Sequence, residues 1–265
     1  MSIAGFYEGM PELRRDFLPE HLRPLLDSTG FDGTIAVQAR QTLAETKWLL
    51  ALAEANPWIQ GVVGWVDLRA PDLNAQLARF GSHPKLVGVR HVMQDEPDDH
   101  FVLQPEFRRG IAQLQEFDLT YDLLLFPRQL PAAIRLASEF PGQPFVLDHL
   151  AKPLVREGKL SPWREDLRHL ADLPNVYCKL SGMVTEAKWK QWRPDEFRPY
   201  LDWVLECFGP GRIMIGSDWP VCTVSSDYPT TIGLVLSRIA CLPLADRESI
   251  LGTACARFYG LTCQA

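Results

Sequence analysis

Asp218 is an acidic residue in a position from which it could carry chemistry. It follows a short apolar run, Ile213 to Ile215, and a Gly-Ser pair. Such a run is typical of a buried parallel strand, and Pro220 cannot continue the hydrogen-bond ladder of a sheet. We therefore expect the carboxylate at the C-terminal end of a strand, where it could take a proton from a water molecule. The alternative is that Asp218 only begins a turn or caps a helix.

His149 is the histidine in the most favourable position for a site. It follows the apolar run Phe145 to Leu147 and Asp148, so a buried strand gives way to a loop there. Imidazole and carboxylate groups at separate strand ends are donors that zinc or manganese accepts. His149 and Asp218 are then two metal ligands, whereas a catalytic zinc normally takes three from the protein. The alternative is a histidine that has only a structural role.

Other polar residues lie at or just after the C-terminal ends of predicted strands and are candidates for holding a substrate: Gln38, Arg90, His91, Lys152, Lys179 and Trp219. An arginine presents a planar fork of donors that suits a carboxylate or a ring carbonyl. Neighbours in a strand face opposite sides, so only one of Arg90 and His91 is expected to point into the mouth of a barrel. Three loop tryptophans fit either an aromatic pocket wall or packing of loops on the barrel: Trp163, Trp189 and Trp192.

Strands and helices alternate along the chain in a pattern that predicts a parallel sheet with right-handed crossovers. Seven strands are predicted: Thr34–Val37, Val62–Val66, Leu86–Val92, Leu119–Leu125, Phe145–Leu147, Val176–Leu180 and the strand that ends before Asp218. Thr42 and Glu45 form a capping-box pattern that predicts a helix from about Leu43 to Ala55. No G-x-G-x-x-G motif follows a strand, which disfavours a dinucleotide-binding domain. A closed barrel needs an eighth strand, which would have to come from Met1 to about Tyr7.

The composition excludes several classes of partner. The 265 residues are 46% hydrophobic and 23% charged, as in a globular protein, and we expect one domain over residues 1–265. A net charge of -6 without a basic stretch argues against nucleic acid or an anionic membrane and favours a small-molecule partner. The sequence has no apolar run long enough to span a membrane and no secretory signal pattern. The six cysteines form no C-x-x-C pair, so we expect reduced thiols and a cytoplasmic protein.

Several motifs resemble those of a known family. They are VQARQTLAET, GVRH, LDHLAKP, KLSG and GSDWPV, within a similarity that runs from Arg14 to Leu261. The chain is similar to the amidohydrolase-related TIM-barrel hydrolases, which include lactonases of the L-fuconolactonase and L-rhamnonolactonase types. The resemblance implies a distorted (β/α)8 barrel whose first strand is weak or missing.

The resemblance also implies roles for individual residues. Asp218 would be the general base that activates water, and His149 a site imidazole and metal ligand. Arg90, His91, Lys152 and Lys179 would hold the lactone and stabilise the developing oxyanion. These proteins carry a His-x-His pair on the first strand, whereas this chain has no histidine before His21. Three alternatives follow: the chain starts downstream of that strand, the protein works without a firmly bound metal, or it is inactive.

We therefore expect a hydrolase that opens a small lactone, with one divalent ion, zinc or manganese, or without metal. Two alternatives remain at this point. One is a metal-dependent decarboxylase of the same superfamily, and the other is a ligand-binding barrel without catalysis.

Overall fold

The computed structural model describes residues 10–261, and the strand expected at Met1 to about Tyr7 lies outside them. Seven strands form one parallel sheet, in which each strand pairs with the next one in the chain. The strands are β1 (Thr34–Val37), β2 (Ile59–Gly64), β3 (Leu86–Val92), β4 (Thr120–Leu124), β5 (Phe145–Leu147), β6 (Val176–Leu180) and β7 (Ile213–Ile215). This order is the one predicted for a barrel wall.

Helices alternate with the strands, and most of them pack on one face of the sheet. They are α1 (Pro19–Thr29), α2 (Leu43–Ala55), α3 (Leu73–Phe80), α4 (Pro105–Leu114), α5 (Leu130–Glu139), α6 (Trp163–Ala171), α7 (Met183–Glu186), α8 (Arg198–Phe208), α9 (Tyr228–Ile239), α10 (Leu244–Glu248) and α11 (Ala254–Phe258). The cap predicted for α2 forms in part. The Thr42 side chain accepts a hydrogen bond from the Glu45 amide, while the Glu45 carboxylate accepts from the amides of Ala39 and Arg40.

The sheet curls, so that its two outer strands share one apolar cluster. On the face away from the helices, side chains from β1, β2, β3, β5, β6 and β7 pack together with Phe258 and Tyr259 of the C-terminal segment. Strands at opposite ends of a flat sheet could not meet in this way. The concave face is therefore the interior of the barrel wall, and its apolar residues alternate with those that face the helices.

Among the predicted strands, β4 is one residue shorter at each end, and β2 differs most. Strand β2 begins at Ile59 and ends at Gly64, where Val62–Val66 was expected. The strand stops early because the Trp65 amide and carbonyl both bond to the Thr46 hydroxyl of α2. The C-terminal helical stretch is divided by the π-helical segment Ser249–Thr253, which lies between α10 and α11. None of the helices in residues 10–261 has the length and apolar character needed to cross a membrane.

Candidate active site

The structure brings Asp218 and His149 together at the C-terminal ends of β7 and β5. An oxygen of the Asp218 carboxylate, Oδ1, lies 3.5 Å from Nε2 of His149. Both side chains are largely buried but reach solvent, with 15% and 11% of their surfaces exposed. The acid and the imidazole therefore share one rim of the sheet, as the mechanism expected from the sequence requires.

The backbone is strained at both residues. Asp218 has φ of 55°, and the four residues from His149 to Lys152 have φ between 50° and 59°. Left-handed backbone costs a residue other than glycine about 1–2 kcal/mol, and such strain is concentrated at functional sites. The turn is held by the Lys152 amide bonded to the His149 carbonyl at 2.7 Å and by the Trp163 indole bonded to the Leu150 carbonyl at 2.6 Å.

The imidazole of His149 is held in a fixed orientation by two residues that directly follow β6. Its Nδ1 lies 2.8 Å from the hydroxyl oxygen of Ser181, so Nε2 is directed toward Asp218. Gly182 packs against the ring: a methyl group added there would lie 2.6 Å from His149 Cβ and Cγ. Burial lowers the pKa of His149, although Asp218 and Asp148 act in the opposite direction. The neutral imidazole is therefore favoured near pH 7.

Lys152 and Glu186 face each other at the same rim. Lys152 Nζ lies 3.8 Å from Glu186 Oε1 and 5.5 Å from the centre of the Phe126 ring. Burial raises the pKa of Glu186, and the Lys152 ammonium opposes that shift. Glu186 was not among the residues selected from the sequence. The sequence feature that could have identified Glu186 was its position in the motif KLSGMVTEA, four residues after Gly182.

A network of buried charges lies on the concave face next to the pair. Asp148 accepts from Arg90 Nη1 at 2.7 Å and forms an ion pair with Lys179 Nζ at 2.7 Å. Lys179 also bonds to Asp122, which accepts from the Tyr259 hydroxyl at 2.9 Å. Asp122 was missed in the sequence, where its signal was a single charge within the apolar stretch Leu119 to Leu125.

This network includes three residues that were expected to hold the substrate: Gln38, Arg90 and Lys179. The guanidinium of Arg90 bonds to Asp148 and to the Gln38 carbonyl, while the Gln38 amide donates to the Arg90 carbonyl at 3.0 Å. Both carboxylate partners of Lys179 have no exposed surface. These side chains bind one another across the sheet and thereby stabilise the concave face.

His91, which was also expected to hold the substrate, lies on the opposite face of the sheet from Arg90. Its ring stacks on Phe101 with centroids 4.9 Å apart, and Nε2 lies 2.7 Å from a Glu96 carboxylate oxygen. Burial lowers the pKa of His91. The alternation of side chains along β3 is the physical reason for the difference from Arg90.

The tryptophans mainly pack loops. Trp219 is half-buried and contacts Phe17 edge-on, with ring centroids 5.3 Å apart. The other three candidate tryptophans donate hydrogen bonds from their indole groups. Trp163 donates to the Leu150 carbonyl, Trp189 to the Thr185 carbonyl and Trp192 to the Ser225 hydroxyl. These contacts agree with the packing alternative, although Trp189 also lines a cavity of about 320 Å³ that Glu186 borders.

The described residues do not offer a metal ion a complete set of ligands. The 3.5 Å between His149 Nε2 and Asp218 Oδ1 suits two ligands of one tetrahedral zinc with bonds of about 2.0–2.2 Å. However, residues 10–261 contain no group of three or more His, Cys, Asp or Glu side chains arranged to hold a metal. The described residues therefore do not form a complete catalytic zinc site.

Two proteins with sequences similar to this chain are lactonases. The chain is 43% identical to an L-fucono-1,5-lactonase of Burkholderia multivorans, covering 96% of this chain and 89% of that protein. It is 39% identical to an L-fucono-1,5-lactonase of Burkholderia ambifaria, covering 86% of this chain and 79% of that one.

Solved structures agree with the fold. A crystal structure of a Burkholderia multivorans amidohydrolase with bound zinc matches with a TM-score of 0.93 at 43% identity, covering 97% of this chain and 94% of that one. A 2,6-dihydroxybenzoate decarboxylase matches with a TM-score of 0.68 over 98% of this chain and 93% of that one. Its identity is 16%, so that likeness shows the fold alone.

The predicted barrel class is confirmed by these matches, and the order of the seven strands agrees with it. The amidohydrolase family model matches residues 4–261, which is nearly the whole chain. The protein is therefore a member of the amidohydrolase family.

Proposed function

We propose that the protein is a hydrolase that opens the lactone of a sugar acid, of the L-fucono-1,5-lactone type, by adding water to the ester carbonyl. The observation that carries the proposal is the facing pair of Asp218 and His149 at one rim of the barrel. The lactone-hydrolase prediction agrees with both curated relatives, which are L-fucono-1,5-lactonases. The decarboxylase alternative has no comparable support.

Asp218 is the general base in this mechanism. Its carboxylate takes a proton from water as the water oxygen bonds to the lactone carbonyl carbon, which gives a tetrahedral intermediate. The ring C–O bond then breaks, and the proton held by Asp218 passes to the departing ring oxygen. The products are the free sugar acid and a carboxylate that is ready for another cycle.

His149 stabilises the oxyanion of the intermediate. When the Ser181 hydroxyl donates to Nδ1, the remaining proton of the neutral ring lies on Nε2, which can donate to the carbonyl oxygen. A fixed donor at the developing charge is one of the largest contributions to this kind of catalysis. Lys152 at the same rim helps to hold the lactone, and Trp219 remains a candidate contact.

A divalent ion, zinc or manganese, is the cofactor that the family relationship suggests for His149 and Asp218. A bound zinc would polarise the carbonyl or lower the pKa of its water. Because the described residues supply two of the three usual ligands, we assign no step of the mechanism to a metal.

Replacement of the base tests the proposal. Asp218→Asn keeps the size of the side chain and removes its basicity, so we expect kcat for L-fucono-1,5-lactone to fall by about 100- to 10,000-fold. Binding of the sugar-acid product should change little, measured by calorimetry. A parent protein that binds sugar lactones without turning them over would instead support the binding-protein alternative.

We further infer that the protein works in the cytoplasm on a small molecule. The five cysteines within residues 10–261 are unpaired, as expected in a reducing compartment. The negative net charge of -6 also disfavours nucleic acid as a partner.

A further inference from the structure

Lys152 and Glu186 form a charged pair without a direct hydrogen bond between the two groups. The 3.8 Å between Nζ and Oε1 exceeds the length of an N–H···O hydrogen bond, which is about 2.7–3.2 Å. Only 12% of the lysine side chain and 20% of the glutamate side chain are exposed. Charges removed from water to this extent are normally satisfied by direct hydrogen bonds. Glu186 Oε1 accepts a long bond from the Thr185 hydroxyl at 3.4 Å. The gap leaves the Lys152 ammonium and the remaining acceptor positions of the Glu186 carboxylate available to a third polar group.

Both side chains are held in place by the elements that build the catalytic pair. Lys152 ends the left-handed turn that begins at His149, and its ammonium lies over the Phe126 ring. Glu186 ends α7, the short helix that begins directly after Gly182, the residue packed on the His149 ring. The charge of Asp218 contributes to raising the pKa of Glu186, so the two carboxylates lie within electrostatic reach.

The space next to Glu186 has the size of a small-molecule site. The cavity of about 320 Å³ is lined by Glu186, Thr185, Trp189, Leu154 and Arg156, among others. Small-molecule pockets commonly occupy about 300–1,000 Å³ and combine an apolar wall with a few polar groups. The Trp189 ring offers an apolar wall, and Glu186, which borders the cavity, lies 3.8 Å from Lys152 Nζ.

We propose that Glu186 determines substrate specificity by accepting a hydrogen bond from one ring hydroxyl of the lactone, while Lys152 donates to the same oxygen. A hydroxyl is suited to this gap because it is both a donor and an acceptor. A lactone without that hydroxyl leaves the charged pair unsatisfied and is therefore opened more slowly. The inference rests on the proposed lactone hydrolysis and adds to it the group that recognises the sugar.

The experiment compares L-fucono-1,5-lactone with its monodeoxy analogues in the parent protein, Glu186→Gln and Lys152→Met. In the parent, one analogue should be opened with kcat/KM about 10- to 100-fold below that of the full lactone, the size expected for one hydrogen bond to a charged group. In both variants this penalty should shrink to less than about threefold for the same analogue. The double variant removes both bonds to the hydroxyl, so its penalty should be at least as small as that of either single variant.

A carboxylate outside the site is the control. Glu206 pairs with Arg168 on the outer surface and is 61% exposed, so Glu206→Gln should keep the parent's penalty for every analogue. Thermal unfolding shows whether each variant is folded, and Lys152→Met allows the same comparison if Glu186→Gln does not fold.

The inference is overturned if the penalty is the same in the parent and in both variants for every analogue. It is also overturned if the parent opens all analogues as fast as the full lactone. Failure of the parent to open L-fucono-1,5-lactone at all would overturn the proposed function itself, which is a separate result.

Discussion

At the residue scale, the contacts of a side chain decide what its chemical type can do. Arg90 and Lys152 were both selected as cations that follow strands. Arg90 is bonded to the fully buried Asp148 and to the Gln38 carbonyl, whereas Lys152 meets only an unclosed partner at the rim. The two terminal nitrogens of Arg90 are bound to buried partners, whereas the Lys152 ammonium lies at the rim, so Lys152 is the better placed of the two to stabilise an oxyanion.

The metal content of the protein follows from the donors at His149 and Asp218. Two ligands hold zinc weakly, so the 265-residue chain, purified and dialysed, should retain well below one zinc per chain. Asp218→Asn should lower the zinc content further, and Glu206→Gln should leave it unchanged. Elemental analysis by mass spectrometry measures all three. One zinc per chain that survives dialysis against a chelator would show that a third donor is present.

At the element scale, the ends of β5, β6 and β7 are built around the imidazole of His149. The left-handed turn after β5 directs the ring toward Asp218, and Ser181 after β6 bonds to its other nitrogen. Gly182 follows with φ of 66° and no side chain, which lets β6 approach the ring closely. The precision of the site therefore depends on short turns, whose conformation comes from packing between strands.

Gly182→Ala tests this arrangement against Gly158→Ala. Both glycines have positive φ, 66° and 64°, so alanine should destabilise each by about 1 kcal/mol from backbone strain. A methyl group at Gly158 meets no atom within 4 Å, whereas at Gly182 it meets His149 Nδ1 at 2.7 Å. Gly182→Ala should therefore lose a further 1–3 kcal/mol or so in urea unfolding and lower kcat by about 10-fold or more. Equal effects of the two substitutions would contradict the proposed role of Gly182.

At the scale of the whole molecule, a buried charge network joins four strands and the C-terminal segment. Arg90, Asp122, Asp148 and Lys179 lie on β3, on β4, just after β5 and on β6, and the Tyr259 hydroxyl bonds to Asp122. Burial alone would raise the pKa of Asp148, but Lys179 and Arg90 outweigh it and hold that pKa well below the usual range. For Asp122, burial dominates over Lys179 and raises the pKa to about 6.

These shifts predict how the free energy of unfolding depends on pH. Asp148 has a lowered pKa in the folded state, so its contribution is present above its unfolded pKa of about 3.9 and is lost as the pH falls further. Asp122 acts with the opposite sign, because its raised pKa favours the folded state on acidification from about pH 6 to about pH 4.

Asp148→Asn should remove the loss of stability below about pH 4. The free energy of unfolding of the variant should therefore depend less on pH in that range. At pH 7 it should be less stable than the parent by about 3–5 kcal/mol, because Lys179 and Arg90 lose a buried partner. Urea unfolding at pH 7, 5, 4 and 3 measures both effects. Asp195→Asn, in a surface pair with 68% of the aspartate side chain exposed, is the control. Parallel profiles of Asp148→Asn and the parent would refute the assignment.

The sequence by itself determined the strand order, the parallel sheet and the positions of Asp218 and His149, because these depend on local apolar runs and on the point where each run ends. It also placed the cap of α2 at Thr42. The tertiary structure decided which polar groups meet. Sequence periodicity could not show that Arg90 and Lys179 bind Asp148, that His91 faces the helices, or that Glu186 approaches Lys152. Each of these contacts joins segments distant in the chain, and its distance is set by the curl of the sheet and the left-handed turn after β5.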